Sequence, residues 1–248
     1  PKDALADAEV ISAGARFLAQ LGVLPHCVLH LNSLGDAESR TAYRAALVRF
    51  SETRESTLSE DSKRRLTLNP LRILDTKDEG DRDILQTAPK LSDFLNAVSK
   101  AHFQTVTAAL DAAGVTWVFD PLLVRGLDYY GRTVFEWTTQ ALGAKGTICG
   151  GGRYDGLVEH LGGRATPGVG FALGMERVVL LMESLDVIPD AYQTQADVYL
   201  MPQQIECESA IRKLARTLRA QFPSLRVMNH IGGGSLKSQL KKADKSGA

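Results

Sequence analysis

The chain is short of cysteine, has no long apolar run and carries no net charge, and each shortage narrows what it can be. Its three cysteines, Cys27, Cys149 and Cys207, are odd in number and far apart along 248 residues. That argues against a disulfide framework and for a reducing compartment. No stretch approaches the roughly 20 consecutive apolar residues of a membrane span. The first residues, PKDALADAEV, have neither the basic flank nor the apolar core of a signal peptide. The expectation is a cytoplasmic protein with no membrane partner.

Several catalytic signatures are missing as well. The chain has no HExxH, CxxC or GxSxG, and no G-x-x-x-x-G-K-[ST] phosphate loop. His26 and His30 are four residues apart, which on a strand separates them by roughly 13 Å, too far to share a zinc ion. No protein-held metal is expected. His160 and His230 read as single surface or capping residues.

What is present is an ordinary globular composition, 44% hydrophobic and 23% charged. The 29 basic and 29 acidic residues are unevenly spread: residues 196–248 hold nine Lys/Arg against four Asp/Glu. A basic terminal module suits RNA or another polyanion. Arg212, Lys213, Arg216 and Arg219 also fall at helical spacing, which suits a solvated helix face, and charge alone does not choose between the two.

Apolar periodicity predicts a helix over 7–21 capped by Gly22, then a short buried strand over 27–31. Residues 36–114 read as helical and charged, broken at Pro70 and Pro89, and look like an insert between strands. From 115 to 175 the text changes to Gly-punctuated strands in antiparallel order, and 174–185 returns to a helix. After a linker, strand, helix, strand, a GGG turn and another helix make an α/β unit.

Three segments carry the chemistry: LVRGLDYYGRTVFEW at 123–137, ICGGGRYDGLVEHLGG at 148–163 and GVGFALGMERVVLL at 168–181. Arg125 presents a permanent charge in a planar fork suited to phosphate or carboxylate oxygens. Taken alone it is more readily explained by a structural ion pair with Asp128 or Glu136. Tyr129 and Tyr130 on extended backbone should point to opposite faces, leaving one for a pocket. Gly150, Gly151 and Gly152 strip a strand of side chains, either for close ligand approach or for a bulge. Tyr154 and Asp155 open the next helix and could reach the same pocket or only cap a turn. The third segment is no dinucleotide fingerprint, since its spacing is G-x-G-x-x-x-G without a βαβ unit. Any nucleotide would be held by an antiparallel sheet and arginines.

Together, RGLDYYGRTVFEW, CGGGRYDGL and GVGFALGMERVVLL resemble the histidyl-tRNA synthetases, a family of class II aminoacyl-tRNA synthetases. HLNSLGD and the terminal GGGSLKSQLKKADKSGA are similar too. The resemblance implies an α+β fold: part of a class II antiparallel-sheet catalytic core, a helical insertion and part of an α/β anticodon-binding domain. In these terms 1–35 and 115–187 form the core, 36–114 the insertion, 188–195 a linker and 196–248 the partial anticodon-binding domain. It further implies ATP-dependent ligation of histidine to its tRNA through histidyl-adenylate, with ATP and Mg²⁺, L-histidine and histidine tRNA as partners, and a homodimer in the full-length protein.

By the same resemblance Arg125 would hold the α-phosphate and the reacting carboxylate, and Tyr130 and Tyr154 would recognise the imidazole. Gly150, Gly151 and Gly152 would floor the amino-acid pocket. Arg177 would pack on adenine and meet the γ-phosphate, with Gly174 beside it. The family's motifs 1 and 2 are expected upstream of residue 1, which makes the chain a fragment expected to be inactive alone. A competing expectation is a non-catalytic paralogue acting as regulatory subunit of ATP phosphoribosyltransferase. That class generally loses the catalytic arginine signature, which this chain keeps.

Overall fold

The computed structural model describes residues 2–126, 129–143, 146–192 and 194–248. They fall into two compact units, 1–186 and 187–248. Among the described residues no helix is long and apolar enough to cross a membrane.

The first unit begins with helix α1 (Ala4–Gln20), whose N-cap Asp3 accepts from the Leu5 amide. Gly22 adopts φ 74° just past its end, where an L side chain would be strained. A single 3₁₀ turn carries His26, so strand β1 starts only at Val28 and runs Val28–Ser33. The expected strand geometry for His26 and His30 therefore does not arise.

Helices α2 (Ala37–Glu52), α3 (Glu60–Leu68) and α4 (Glu79–Leu85) follow, and each is capped at its N-terminus by an Asp or Ser side chain. They enclose an apolar cluster that includes Tyr43, Leu47, Ile73 and Leu91 and extends to Leu123 and Val134. The polar SEDSKRR run folds because Asp81 is buried there. Its carboxylate accepts from Ser59 Oγ at 2.6 Å, from the Ser59 amide at 2.9 Å, and from Ser62 and Thr76 hydroxyls.

Helix α5 (Ala97–Ala112) behaves differently from those three. It packs on α1 and on strand β3 (Gly131–Thr139), not among α2–α4. The expectation that 36–114 forms one helical insert thus differs from the packing, which puts 97–112 with the sheet. The reason is visible in its buried positions, His102, Val106 and Leu110, which form one helical face turned towards α1 and the sheet.

The sheet is completed by β2 (Val118–Phe119), β4 (Gly146–Arg153) and β5 (Val169–Leu173), in the order β2-β1-β3-β4-β5. All neighbours are antiparallel except β1 and β2, which are parallel. On one face, Leu29, Trp137, Cys149 and Leu173 align across four strands, and Leu31, Phe135, Gly151 and Phe171 form the adjacent row. This is the back face. Helix α1 closes on it at Gly14, where an added Cβ would lie 2.9 Å from Trp137. Phe135 and Trp137 meet edge to face, centroids 5.6 Å apart.

Short helix α6 (Leu157–His160) links β4 to β5, and α7 (Met175–Ser184) follows β5. The second unit is a parallel βαβ crossover: β6 (Val198–Leu200), α8 (Glu208–Gln221) and β7 (Val227–Asn229), with α9 (Leu236–Ser246) beyond. Gly232, Gly233 and Gly234 all take positive φ between β7 and α9, so this turn requires glycine.

Candidate functional site

The opposite, front face of the sheet is where the sequence signals meet. Pairing places Glu136, Gly150 and Ala172 in one row and Val134, Gly152 and Gly170 in the next. With glycine at 150, 152 and 170, side chains from outside the sheet can lie flat on the strands.

Arg125 does so from the coil before β3. Its guanidinium lies over Gly150, where a Cβ would fall 2.8 Å from Nη1. The same nitrogen donates to Glu136 Oε1 at 3.1 Å, and both side chains are about one-fifth exposed. One of the two anticipated ion-pair partners is therefore present; Asp128 lies outside the described residues. The guanidinium carbon is also 5.9 Å from the centre of the Tyr130 ring.

The tyrosines depart from expectation. Tyr129 and Tyr130 do not diverge to opposite faces: their rings lie 4.6 Å apart, and both meet Tyr154 edge-on at 6.3 and 6.2 Å. The strict alternation assumed from sequence fails because β3 begins only at Gly131, so neither tyrosine lies on regular strand backbone. Burial first, and then the neighbouring Tyr129 hydroxyl, push the Tyr130 phenol above its ordinary value, while Arg125 opposes them. Tyr154 lies over Gly168 and Gly170; a Cβ on Gly170 would sit 2.9 Å from its hydroxyl. It precedes α6 by three residues and does not open that helix.

The glycine run is two things at once. Gly150 and Gly152 face Arg125 and Tyr130, whereas Gly151 turns to the back face against Gly170 and Phe171. Only two of the three therefore floor the front pocket. Arg177, on the exposed first turn of α7 behind N-cap Gly174, donates to the Thr147 carbonyl of β4 at 2.8 Å. Arg125 and Arg177 thus engage the same strand three residues apart, roughly 10 Å along it.

Cys149, beneath this site, is no nucleophile. Burial pushes its thiol up to about 12, even with Arg125 nearby pulling the other way. Among the described residues no three His, Cys, Asp or Glu side chains are placed to hold a metal ion. Glu136, on the front face, is committed to Arg125. The described carboxylates there offer no open donor set for a resident metal.

Sequence reading missed a buried polar cluster behind β4. Asp7 of α1, fully buried, accepts from Arg153 Nε at 2.9 Å and from the Thr133 hydroxyl, and meets His102 Nε2 at 2.8 Å. Burial raises the Asp7 carboxyl, but the bonds from His102, Arg153 and Thr133 outweigh it and hold the group below its ordinary 3.8. The signal was available: Asp7 shares a helical face with buried Ile11 and Leu18, so it needed a cationic partner. A recess of about 430 Å³ opens beside Tyr129. Its walls mix Arg40, Arg132 and Arg153 with Asp36 and Asp155, so it has no built preference for an anion, and Arg125 does not line it.

A largely antiparallel sheet backed by helices, with an arginine and tyrosines gathered on glycines of its front face, defines an α+β core. The family model for histidyl-tRNA synthetase matches residues 2–178. The chain is 52% identical over 242 residues to the histidine--tRNA ligase of Marinomonas sp. (strain MWYL1), covering 98% of this chain and 57% of that protein. It also resembles the apo histidyl-tRNA synthetase of S. aureus, with a TM-score of 0.71 and 35% identity over all of this chain and 60% of that one. The fold extends to a protein of Bacillus halodurans C described as an ATP phosphoribosyltransferase regulatory subunit/histidyl-tRNA synthetase, at 21% identity and TM-score 0.53. The chain belongs to the histidyl-tRNA synthetase family, and it spans a little over half the length of these relatives.

Proposed function

We propose that the intact protein containing this chain ligates histidine to its tRNA in two steps, the first of which consumes ATP. The observation that carries this reading is the gathering of Arg125, Tyr130 and Tyr154 on the glycine floor of the front face, in a chain of this family. In the first step a carboxylate oxygen of histidine bonds to the α-phosphorus of ATP, the bond to the β-phosphate oxygen breaks, and pyrophosphate leaves. In the second, a hydroxyl oxygen of the terminal tRNA ribose bonds to the histidyl carbonyl carbon, the bond from that carbon to the phosphate oxygen breaks, and AMP leaves while the hydroxyl proton passes to solvent. Neither step needs a protein nucleophile; positioning and charge stabilisation carry them.

In this scheme Arg125 spans the reacting carboxylate and α-phosphate with its planar fork. Tyr130 and Tyr154 receive the imidazole above Gly150 and Gly152, and Gly151 keeps β4 close to β5. Arg177, with Gly174 at the start of α7, takes adenine and the γ-phosphate. Mg²⁺ enters with ATP as part of the substrate. Residues 1–35 and 97–187 belong to the catalytic core, 36–96 to an insertion reaching towards tRNA, 188–195 to a linker and 196–248 to an anticodon-binding domain. The intact protein is read as a cytoplasmic homodimer.

Histidine-dependent exchange of labelled pyrophosphate into ATP tests this in the intact protein. Exchange with histidine and not with other amino acids supports the reading. Histidine binding with no exchange would point instead to the regulatory-subunit paralogue, which the retained and seated Arg125 argues against.

A further inference from the structure

Strand β4 ends on Arg153, and alternation sends its side chain behind the sheet while Tyr154 comes forward. One carboxylate closes the turn between them and β5. Asp155 Oδ1 accepts from Arg153 Nη1 at 2.9 Å and from the Gly168 amide at 3.1 Å. Tyr154 returns the connection, its amide donating to the Gly168 carbonyl at 2.8 Å. Arg153 is itself fixed from behind by Asp7 and by the Asp3 carbonyl, the latter at 2.9 Å. Tyr154 is therefore flanked by an anchored residue on one side and a bridging residue on the other.

We propose that Asp155 is a positioning residue for the amino-acid pocket. By bridging Arg153 to Gly168 it fixes the backbone from which Tyr154 projects, and so where the Tyr154 hydroxyl points across Gly170. This rests on the reading of Tyr154 as part of the histidine pocket. A hydroxyl that must meet one ring nitrogen of a planar ligand gains from being held in place before the ligand arrives. Asp155 suits the task because its side chain is about one-third exposed. Removing it leaves no hole in the core, and Arg153 keeps Asp7.

The test compares Asp155→Ala, Asp155→Asn and Tyr154→Phe in the intact protein by pyrophosphate exchange, varying histidine and ATP separately, beside thermal unfolding. Asp155→Ala should raise the histidine KM about tenfold, the scale of one lost charge-assisted hydrogen bond, and leave the ATP KM within about twofold. Asp155→Asn, whose side-chain oxygen can still accept from Gly168, should recover part of the loss. A purely structural role predicts a lowered Tm with both KM values unmoved, or both raised together, and either result overturns the proposal. Tyr154→Phe separates the two levels of argument: if it leaves the histidine KM unchanged, the pocket reading fails. The ¹⁹F resonance of 3-fluorotyrosine at position 154 then decides for Asp155. It shifts in Asp155→Ala if the bridge sets the ring, and stays at the wild-type position if it does not.

Discussion

Arg125 and Glu136 share a hydrogen bond of 3.1 Å, and Glu136 is the cross-strand partner of Gly150, over which the guanidinium lies. The ion pair and the glycine seat are therefore one arrangement. An arginine held this way keeps its fork in a fixed plane while part of its donor set remains available to a ligand.

Replacing Arg125 by alanine in the intact protein should lower pyrophosphate exchange by about 10²–10³, the usual cost of one preorganised charge-stabilising group. Lysine should rescue poorly, because it lacks the planar fork. Thermal unfolding of both variants should stay close to wild type, since the ion pair is partly exposed and such pairs contribute little, about 0–1 kcal/mol. A lowered Tm with near-normal exchange would make Arg125 structural and the mechanism wrong.

The three glycines should respond differently to alanine. At position 150 the new Cβ meets only the tip of Arg125, which can swing aside, so Gly150→Ala should fold normally. At 151 it runs into the Gly170 carbonyl and Phe171 backbone, and at 152 it lies 2.6 Å from the Thr133 carbonyl. Those two changes should cost about 1–3 kcal/mol by overpacking, read from chemical denaturation. Equal stability for all three variants would contradict these close backbone contacts at 151 and 152.

Acid should destabilise the first unit through two buried carboxylates. Asp7 and Asp81 are both held below their ordinary value of 3.8, burial working against the effect and hydrogen bonds overcoming it. Groups of this kind add stability that is fully present above 3.8 and is lost as pH falls through their folded values, because the unfolded chain takes up protons first. Denaturation midpoints measured from pH 6 downward should fall in that acid range, and Asp81→Asn should flatten the decline. A midpoint that holds steady to the lowest pH would show that neither carboxylate titrates as described.

Deleting residues 37–95 should weaken tRNA charging far more than histidine-dependent exchange, if this region serves the tRNA. The ends can be rejoined because Asn96 Nδ2 already donates to Asp36 Oδ2 at 2.6 Å. Extending the deletion to 114 removes α5 from its packing on α1 and should abolish folding, seen as loss of a cooperative melt. Equal losses in charging and exchange for the shorter deletion would count against a tRNA role.

Much of this was legible in the sequence where local rules act alone. The first helix, the strands around the glycine segments and the α/β order of the second unit follow from periodicity and turn chemistry. Arg125 and the glycine floor stood out because their residue types are costly without a purpose. The failures share a cause. The facing of Tyr129, the place of α5 and the parallel pairing of β2 with β1 depend on partners distant in the chain, which local spacing does not report. Arg153 and Asp7 were missed for the same reason, though a carboxylate on an apolar helix face was a visible warning.

The Asp7 cluster also constrains the order of assembly. Its partners His102, Thr133 and Arg153 lie 95, 126 and 146 residues further along the chain. Closing loops of that length is entropically costly, and contacts of high sequence separation form late and slowly. During synthesis the first helix leaves the ribosome with a carboxylate and an apolar face that meet their first mates only in α5, about 95 residues later, and the last of the Asp7 partners only when β4 is complete. Everything made in between, the helices around Asp81 included, can fold locally first. The back of the sheet closes late: Arg153 must emerge to complete the Asp7 cluster, and Phe171 and Leu173 of β5 follow to complete the face against α1.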